Sequence, residues 1–214
     1  MSVNLSNTAY REIRDKIILG EYLPNNPLSE NELAKKLNMS RTPVRDAISR
    51  LESEGLVFTL KNRGTFVKDF TYKEYFDMKD VINSLHNFVI DIVLERGASF
   101  EINKLKDQLG SQKKASNNND YQNYTKQSIM FERTLLESAN NQIMLQTFDS
   151  FIDRWMRMAI VNWKLTPHKK HFTSNKRNEE IYNAIDSKDY SRIKQIIKTY
   201  NIQGRQRYLL DGSI

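Results

Sequence analysis

Arg41 and Arg45 lie one helical turn apart in the stretch Ser40-Arg41-Thr42-Pro43-Val44-Arg45-Asp46-Ala47-Ile48-Ser49-Arg50-Leu51-Glu52. With Ser40, Thr42 and Ser49 they form the group of side chains best suited to meet an anion. A guanidinium donates two parallel bonds to paired acceptors, whether phosphate oxygens or the O6 and N7 of guanine. Val44, Ala47, Ile48 and Leu51 repeat at the spacing of a buried helical face, so the stretch is predicted to be one short helix. Pro43 suits its first position, and Thr42 or Ser40 its cap. Arg41, Thr42, Arg45 and Ser49 then remain at the N-terminal end and along the outer side, where free backbone N–H groups also favour negative charge.

Other residue types narrow the chemistry. There is no cysteine, so disulfides, thiolate metal sites and cysteine nucleophiles are excluded. No glycine-rich phosphate loop and no plausible Ser/His/Asp set is present, so no enzyme is expected. Of the three histidines, His86 falls in a helical pattern beside Leu85 and Phe88, while His168 and His171 sit in Pro167-His168-Lys169-Lys170-His171. That loop has a spacing a metal could use, but its lysines favour a solvated reading. Arg154 and Arg157 flank Trp155-Met156 in an otherwise apolar run; an inward-facing one could bind a carboxylate or phosphate, and an outward-facing pair would be plain surface.

The chain of 214 residues carries a formal charge of +7 and a pI near 9.4, which favours an anionic partner without naming it. Residues 1–70 contribute only +2 of that charge, so a nucleic-acid contact there depends on a few placed cations. No apolar run approaches the roughly 18 residues of a membrane helix. The N-terminal MSVNLSNTAY lacks the charged and apolar regions of a signal peptide, and a cytoplasmic protein is expected.

The elements that position these residues can be read in order. A first helix is predicted from Asn7 or Thr8 to about Leu19, with Ala9, Ile13 and Ile17 buried and Gly20 ending it. Residues 21–28 read as a turn-rich connector. Ser29 and Glu32 form a capping box for a helix carrying Leu33, Ala34 and Leu37. After the turn at Asn38-Met39 comes the arginine helix, ended by Gly55, so the pair is a helix-turn-helix. Residues 56–60 and 65–68 are β-prone around the turn Lys61-Asn62-Arg63-Gly64, where Gly64 is placed for positive φ. Beyond a linker at 69–72 the pattern is helical throughout, with predicted helices near 72–97, 101–114, 121–138, 142–163, 174–185 and 190–209. The first of these presents Tyr75, Met78, Val81, Ile82, Leu85, Phe88 and Val89 as its apolar face. The fold class is therefore mostly α with a small β-wing: an N-terminal winged helix-turn-helix, residues 1–70, and an all-α C-terminal bundle, residues 71–214.

Residues 8–68 resemble the winged helix-turn-helix of GntR-type bacterial transcription regulators. The likeness runs through Leu28-Ser29-Glu30-Asn31-Glu32-Leu33-Ala34, Ser40-Arg41-Thr42-Pro43-Val44-Arg45-Asp46-Ala47, Leu51-Glu52-Ser53-Glu54-Gly55-Leu56-Val57 and Arg63-Gly64-Thr65-Phe66-Val67. The helical remainder resembles the FCD effector and dimerisation domain of the FadR subfamily. The resemblance implies that Ser40, Arg41, Thr42 and Arg45 face double-stranded DNA, Arg45 being the best candidate for reading guanine, with Lys61, Arg63 and Gly64 of the wing against the minor groove or phosphates. It also implies a homodimer on a short palindromic operator, repression more often than activation, and a small-molecule effector in the helical domain. Relatives with a pyridoxal-phosphate aminotransferase-like domain need a longer chain. A winged helix serving only protein interaction is the remaining alternative.

Many FCD domains bind a divalent metal through an Asp and three His. By that resemblance Ser128, Glu132, Asn178 and Tyr200 stand at the four ligand positions, and only Glu132 is a competent anionic ligand. No metal and no cofactor are therefore expected. The candidate effector residues are Glu132, Arg154, Arg157, Asn178 and Tyr200, for a ligand that could be a carboxylate or phosphate.

Overall fold

The computed structural model describes residues 4–211; Met1 to Val3, which begin the N-terminal run read above, lie outside them. The chain divides into two compact units, Met1–Thr71 and Tyr72–Ile214.

The first unit is three helices and a small sheet. Helix α1 spans Leu5–Ile18 and opens earlier than predicted, because Asn4 is the cap and its side chain accepts a bond from the Asn7 N–H. Asn is as good a cap as any residue, so the polar run 4–8 holds several competent starts and the chain uses the first. Gly20, at φ 61°, follows its end. The predicted connector contains a two-residue strand, β1, Pro27–Leu28. Helix α2, Glu30–Leu37, has Ser29 as its cap, accepting from the Glu32 N–H as the capping box requires. Asn38 closes α2 in the left-handed conformation, which Asn tolerates better than most residues.

Helix α3 spans Arg41–Ser53. Its first residue is Arg41, so Pro43 occupies the third helical position rather than the first. That is still within the first turn, where no intrahelical N–H is lost. Ser40 is the cap residue, but its hydroxyl makes no capping bond. Strands β2, Val57–Leu60, and β3, Gly64–Val67, form the predicted hairpin, and β1 adds to the free edge of β3 to give the antiparallel order β1-β3-β2. One core joins helices and sheet, built on Ile13, Ile17, Val44, Leu51, Val57 and Val67.

The second unit is a bundle of α4 (Tyr72–Arg96), α5 (Ile102–Asn117), α6 (Tyr121–Glu137), α7 (Gln142–Leu165), α8 (Ser174–Asp186) and α9 (Tyr190–Asp211). Helix α6 is central. It buries Ile129, Phe131 and Leu136 completely and packs against α4, α5, α7 and α8. Helix α4 departs from its predicted face: Val81 and Phe88 are exposed, 42% and 50%, whereas Lys79 and His86 are buried. The apolar positions cover more than one side of α4, and hydrophobicity alone does not say which side the bundle covers. Among the described residues no helix is long and apolar enough to cross a membrane.

Candidate nucleic-acid interface and helical-unit cavity

The exposed face of α3 carries the predicted reading residues together. Ser40, Arg41, Thr42, Arg45 and Ser49 are all solvent-exposed, while Val44, Ala47, Ile48 and Leu51 anchor the opposite side. Glu30, at the start of α2, holds both arginines. One carboxylate oxygen accepts from Arg41 at 3.2 Å and from Arg45 at 3.1 Å. The bond from Arg45 is the main reason its carboxyl is held below the usual range, against a smaller opposing effect of burial. Such exposed pairs stabilise by only about 0–1 kcal/mol, so the arginines are oriented at little cost to their release. Glu30 was legible in the sequence only as part of the GntR-like stretch Leu28-Ser29-Glu30-Asn31-Glu32-Leu33-Ala34; its position eleven residues before Arg41 in a two-helix unit was the available signal. Arg50, the third arginine of α3, is engaged differently: it stacks on Tyr10 at 3.7 Å and pairs with Glu54.

The wing is braced from both ends. Phe58 and Phe66 stack across the strands at 5.8 Å, the Thr59 and Thr65 hydroxyls bond at 3.1 Å, and the Thr59 N–H donates to Glu52 of α3 at 2.7 Å. The turn closes with the Arg63 N–H donating to the Leu60 carbonyl. Asn62 takes φ 64° and Gly64 φ 96°, so the turn uses two left-handed residues where one was expected. A Cβ on Gly64 would meet nothing within 4 Å; glycine serves conformation there rather than space. Lys61 and Arg63 project at the exposed tip.

The helical unit contains a cavity of about 130 Å³, against the roughly 10–15 Å³ that one water needs. At its centre Glu132 of α6 lies between Lys79 of α4, 3.3 Å away, and Arg177 of α8. Lys79 also sits 3.9 Å from the centre of the Trp155 ring, and His86 donates from Nε2 to the Glu132 carbonyl at 3.0 Å; a carbonyl only accepts, so Nε2 carries the proton. Burial would raise the Glu132 carboxyl, but Arg177 and Lys79 overcome it and hold the group ionised. Burial lowers Lys79 to about 8 and His86 to about 4. Lys79 and Arg177 were absent from the predicted site. A lysine inside an amphipathic pattern reads as solvent-facing, and only the bundle shows that it turns inward.

The predicted effector residues divide. Glu132 and Tyr200 line the cavity. Asn178 is buried just beside it, its Nδ2 donating to Gln112 at 2.9 Å and its Oδ1 accepting from Arg177. Arg157 is buried but outside the lining, and Arg154 is exposed. His171, expected in a solvated loop, is buried: it lies edge-on to Tyr121 and donates from Nε2 to the Thr166 carbonyl at 2.7 Å. His168 is exposed.

The four positions at which the FCD resemblance places metal ligands do not fit a metal. Ser128 is a hydroxyl bonded to Ser174. Glu132 is neutralised by two protein cations. The Asn178 carbonyl oxygen accepts from Arg177, and the Tyr200 phenol donates to Glu180 at 3.2 Å. No three His, Cys, Asp or Glu side chains cluster in metal-binding geometry among the described residues.

His86 makes the pH response of this unit predictable. Its folded-state value lies below the ordinary 6.5, so the proton is resisted in the bundle and accepted after unfolding. The associated stability is complete above about 6.5 and is lost as pH falls toward 4. A displacement from 6.5 to about 4 corresponds to about 3–4 kcal/mol at roughly 1.4 kcal/mol per unit. Trp155 and Trp163, both in α7, are the only tryptophans of the chain. Their fluorescence melting midpoint should fall between pH 6.5 and 4.5 in the native chain and much less in His86→Gln. Parallel curves for the two would remove His86 as the cause.

The comparisons agree with this architecture. The model for bacterial regulatory proteins of the gntR family matches residues 5–67, and the FCD domain model matches residues 79–201. The gluconate operon transcriptional repressor of Bacillus licheniformis is 26% identical over 181 residues, covering 83% of this chain and 74% of that one. The Nta operon transcriptional regulator of Aminobacter aminovorans is 28% identical over 152 residues, 70% of this chain and 72% of that one. In fold, a GntR-type chain from Rhodococcus sp. RHA1 superposes with a TM-score of 0.78 at 22% identity, covering 96% and 98% of the two chains. The Listeria monocytogenes protein Lar superposes with a TM-score of 0.66 at 23% identity, covering 95% of each. With a gntR winged helix and an FCD domain spanning most of its length, this chain belongs to the GntR family of DNA-binding transcriptional regulators and is not an enzyme.

Proposed function

We propose that the chain acts as a homodimeric repressor in the cytoplasm, each protomer placing α3 in the major groove of one half of a short palindromic operator. The observation that carries this reading is the exposed row Ser40, Arg41, Thr42, Arg45 and Ser49 on a helix followed directly by a cation-tipped hairpin. One recognition helix reads only a few base pairs; a two-fold partner reads a second half-site. Arg45 is the guanine reader, Arg41, Thr42, Ser40 and Ser49 support it through bases and phosphates, and Lys61, Arg63 and the Gly64 backbone approach from the wing. Repression is supported by the printed names of relatives, among them the gluconate operon repressors of two Bacillus species.

Dimerisation is supported by α4. Val81 and Phe88 stand two turns apart on one exposed strip, with half-buried Leu85 between them, an apolar strip that a partner helix could cover. An effector bound in the helical unit would change operator affinity only by favouring one of two states of the dimer. The test is selection of bound sequences from random DNA, with sedimentation of the free chain. A palindromic consensus and a dimer are expected, and Phe88→Asp should yield folded monomers whose operator affinity falls at least tenfold. A monomeric native chain, or a consensus without two-fold symmetry, would refute the reading.

A further inference from the structure

The cavity that fails to suit a metal has its own source of positive charge. The Lys79 ammonium and the Arg177 guanidinium approach Glu132 from α4 and α8, and the lining adds Arg207. One carboxylate against three cations leaves the chamber positive. Glu132 is almost wholly enclosed. Arg177 is one-sixth exposed at its side chain, so it is the member of the trio that a ligand can reach. The lining also holds donors and acceptors that the protein leaves without a partner, the Asn83 Nδ2 and the Nδ1 of the buried His171. Tyr75, Tyr121, Tyr124 and Trp155 supply aromatic walls.

We propose that Arg177, backed by the positive charge of Lys79, does in this chain what a bound divalent cation would otherwise do: it captures a compact oxyanion, carboxylate or phosphate, directly and without metal, and Glu132 is an internal counter-ion, held by Lys79, from which the ligand draws Arg177. The inference rests on the reading of the helical unit as an effector domain, and it names the charge that selects the effector. Arg177 donates to the Asn178 carbonyl oxygen at 3.0–3.1 Å as well as to Glu132, so moving its guanidinium toward a ligand loosens two contacts within α8 and between α8 and α6. Glu132 keeps Lys79 as its partner and is not left as a lone buried charge.

The experiment uses the full-length chain, never exposed to nickel resin and treated with EDTA. It is titrated separately with acetate and with inorganic phosphate by calorimetry, and in parallel by tryptophan fluorescence, to which Trp155, facing Lys79, contributes. Saturable binding of at least one anion is expected. It should be unchanged by EDTA, weakened at least tenfold in Arg177→Gln, and tightened in Glu132→Gln, which removes the competing charge. Acetate alone binding identifies a carboxylate effector; phosphate binding more tightly identifies a phosphorylated one. Melting curves check that each variant folds, and the native chain alone tests the claim if Glu132→Gln does not. Binding of neither anion, binding that requires added zinc or manganese, or near-stoichiometric metal in the purified chain would overturn the proposal. Operator binding is measured on the same preparations without anion, so failure of the anion site and failure of the regulator reading are separate results.

Discussion

Arg45→Ala is expected to lower affinity for the selected operator between roughly thirtyfold and twenty-thousandfold while leaving the fold and the oligomeric state unchanged. A bidentate arginine–guanine pair discriminates by about 1–3 kcal/mol. A two-fold dimer loses it at both half-sites, and each 1.4 kcal/mol is a factor of ten. The contrast with stability is what makes the variant decisive. The Arg45 side chain is 59% exposed and its protein partner is Glu30, an exposed pair worth about 0–1 kcal/mol. Non-specific binding should change far less, because it depends on the summed cations of α3 and the wing and weakens steeply with salt. Fluorescence anisotropy on operator and scrambled duplexes, with melting and sedimentation of the same preparation, separates these terms. Unchanged operator affinity would remove Arg45 from the reading face and shift the assignment to Arg41, which shares the Glu30 carboxylate.

Glu132→Ala is the second large effect, and it falls on stability. Taking one partner from a buried charge cluster strands the others, at a cost of about 3–5 kcal/mol. Here two cations would be stranded. Lys79, already lowered to about 8 by burial, would shed its proton more readily, so part of the loss should be recovered at higher pH. Both tryptophans lie in α7, so chemical denaturation followed by their fluorescence reports on the helical unit alone. Arg154→Ala is the matched control, because Arg154 is exposed and should change the midpoint little. Equal midpoints for Glu132→Ala and Arg154→Ala would mean that the Lys79–Glu132–Arg177 cluster contributes no stability.

Much of the DNA-binding unit was legible because its signals are local. Ser29 and Glu32 at capping-box spacing start α2, and Gly55 and Gly64 occupy left-handed positions that other residues avoid. The i, i+3, i+4, i+7 pattern of Val44, Ala47, Ile48 and Leu51 assigns the inner face of α3 and, by subtraction, its outer face. The errors there are small and local too. Asn4 outcompeted the later caps, Pro43 sits two positions further into its helix, and Pro27–Leu28 pairs with β3, a long-range contact that no short window contains.

The helical unit divides differently. Sequence by itself determined that its segments are helices, roughly where they end, and that the four residues at the metal-ligand positions make a poor donor set. Which faces of those helices are enclosed was decided only by the tertiary structure. Val81 and Phe88 were read as core and are exposed; His171 was read as solvated and is buried, and Lys79, which the apolar pattern of α4 leaves out, is buried as well. The reason is physical: helical periodicity records how one segment divides its own polarity, whereas burial depends on what the other segments bring. Lys79 is enclosed because α6 offers Glu132 and α7 offers the Trp155 ring, and Arg177 because α8 brings it to the same carboxylate. The reading helix was set by its own residues. The charge at the centre of the bundle exists only where three helices meet.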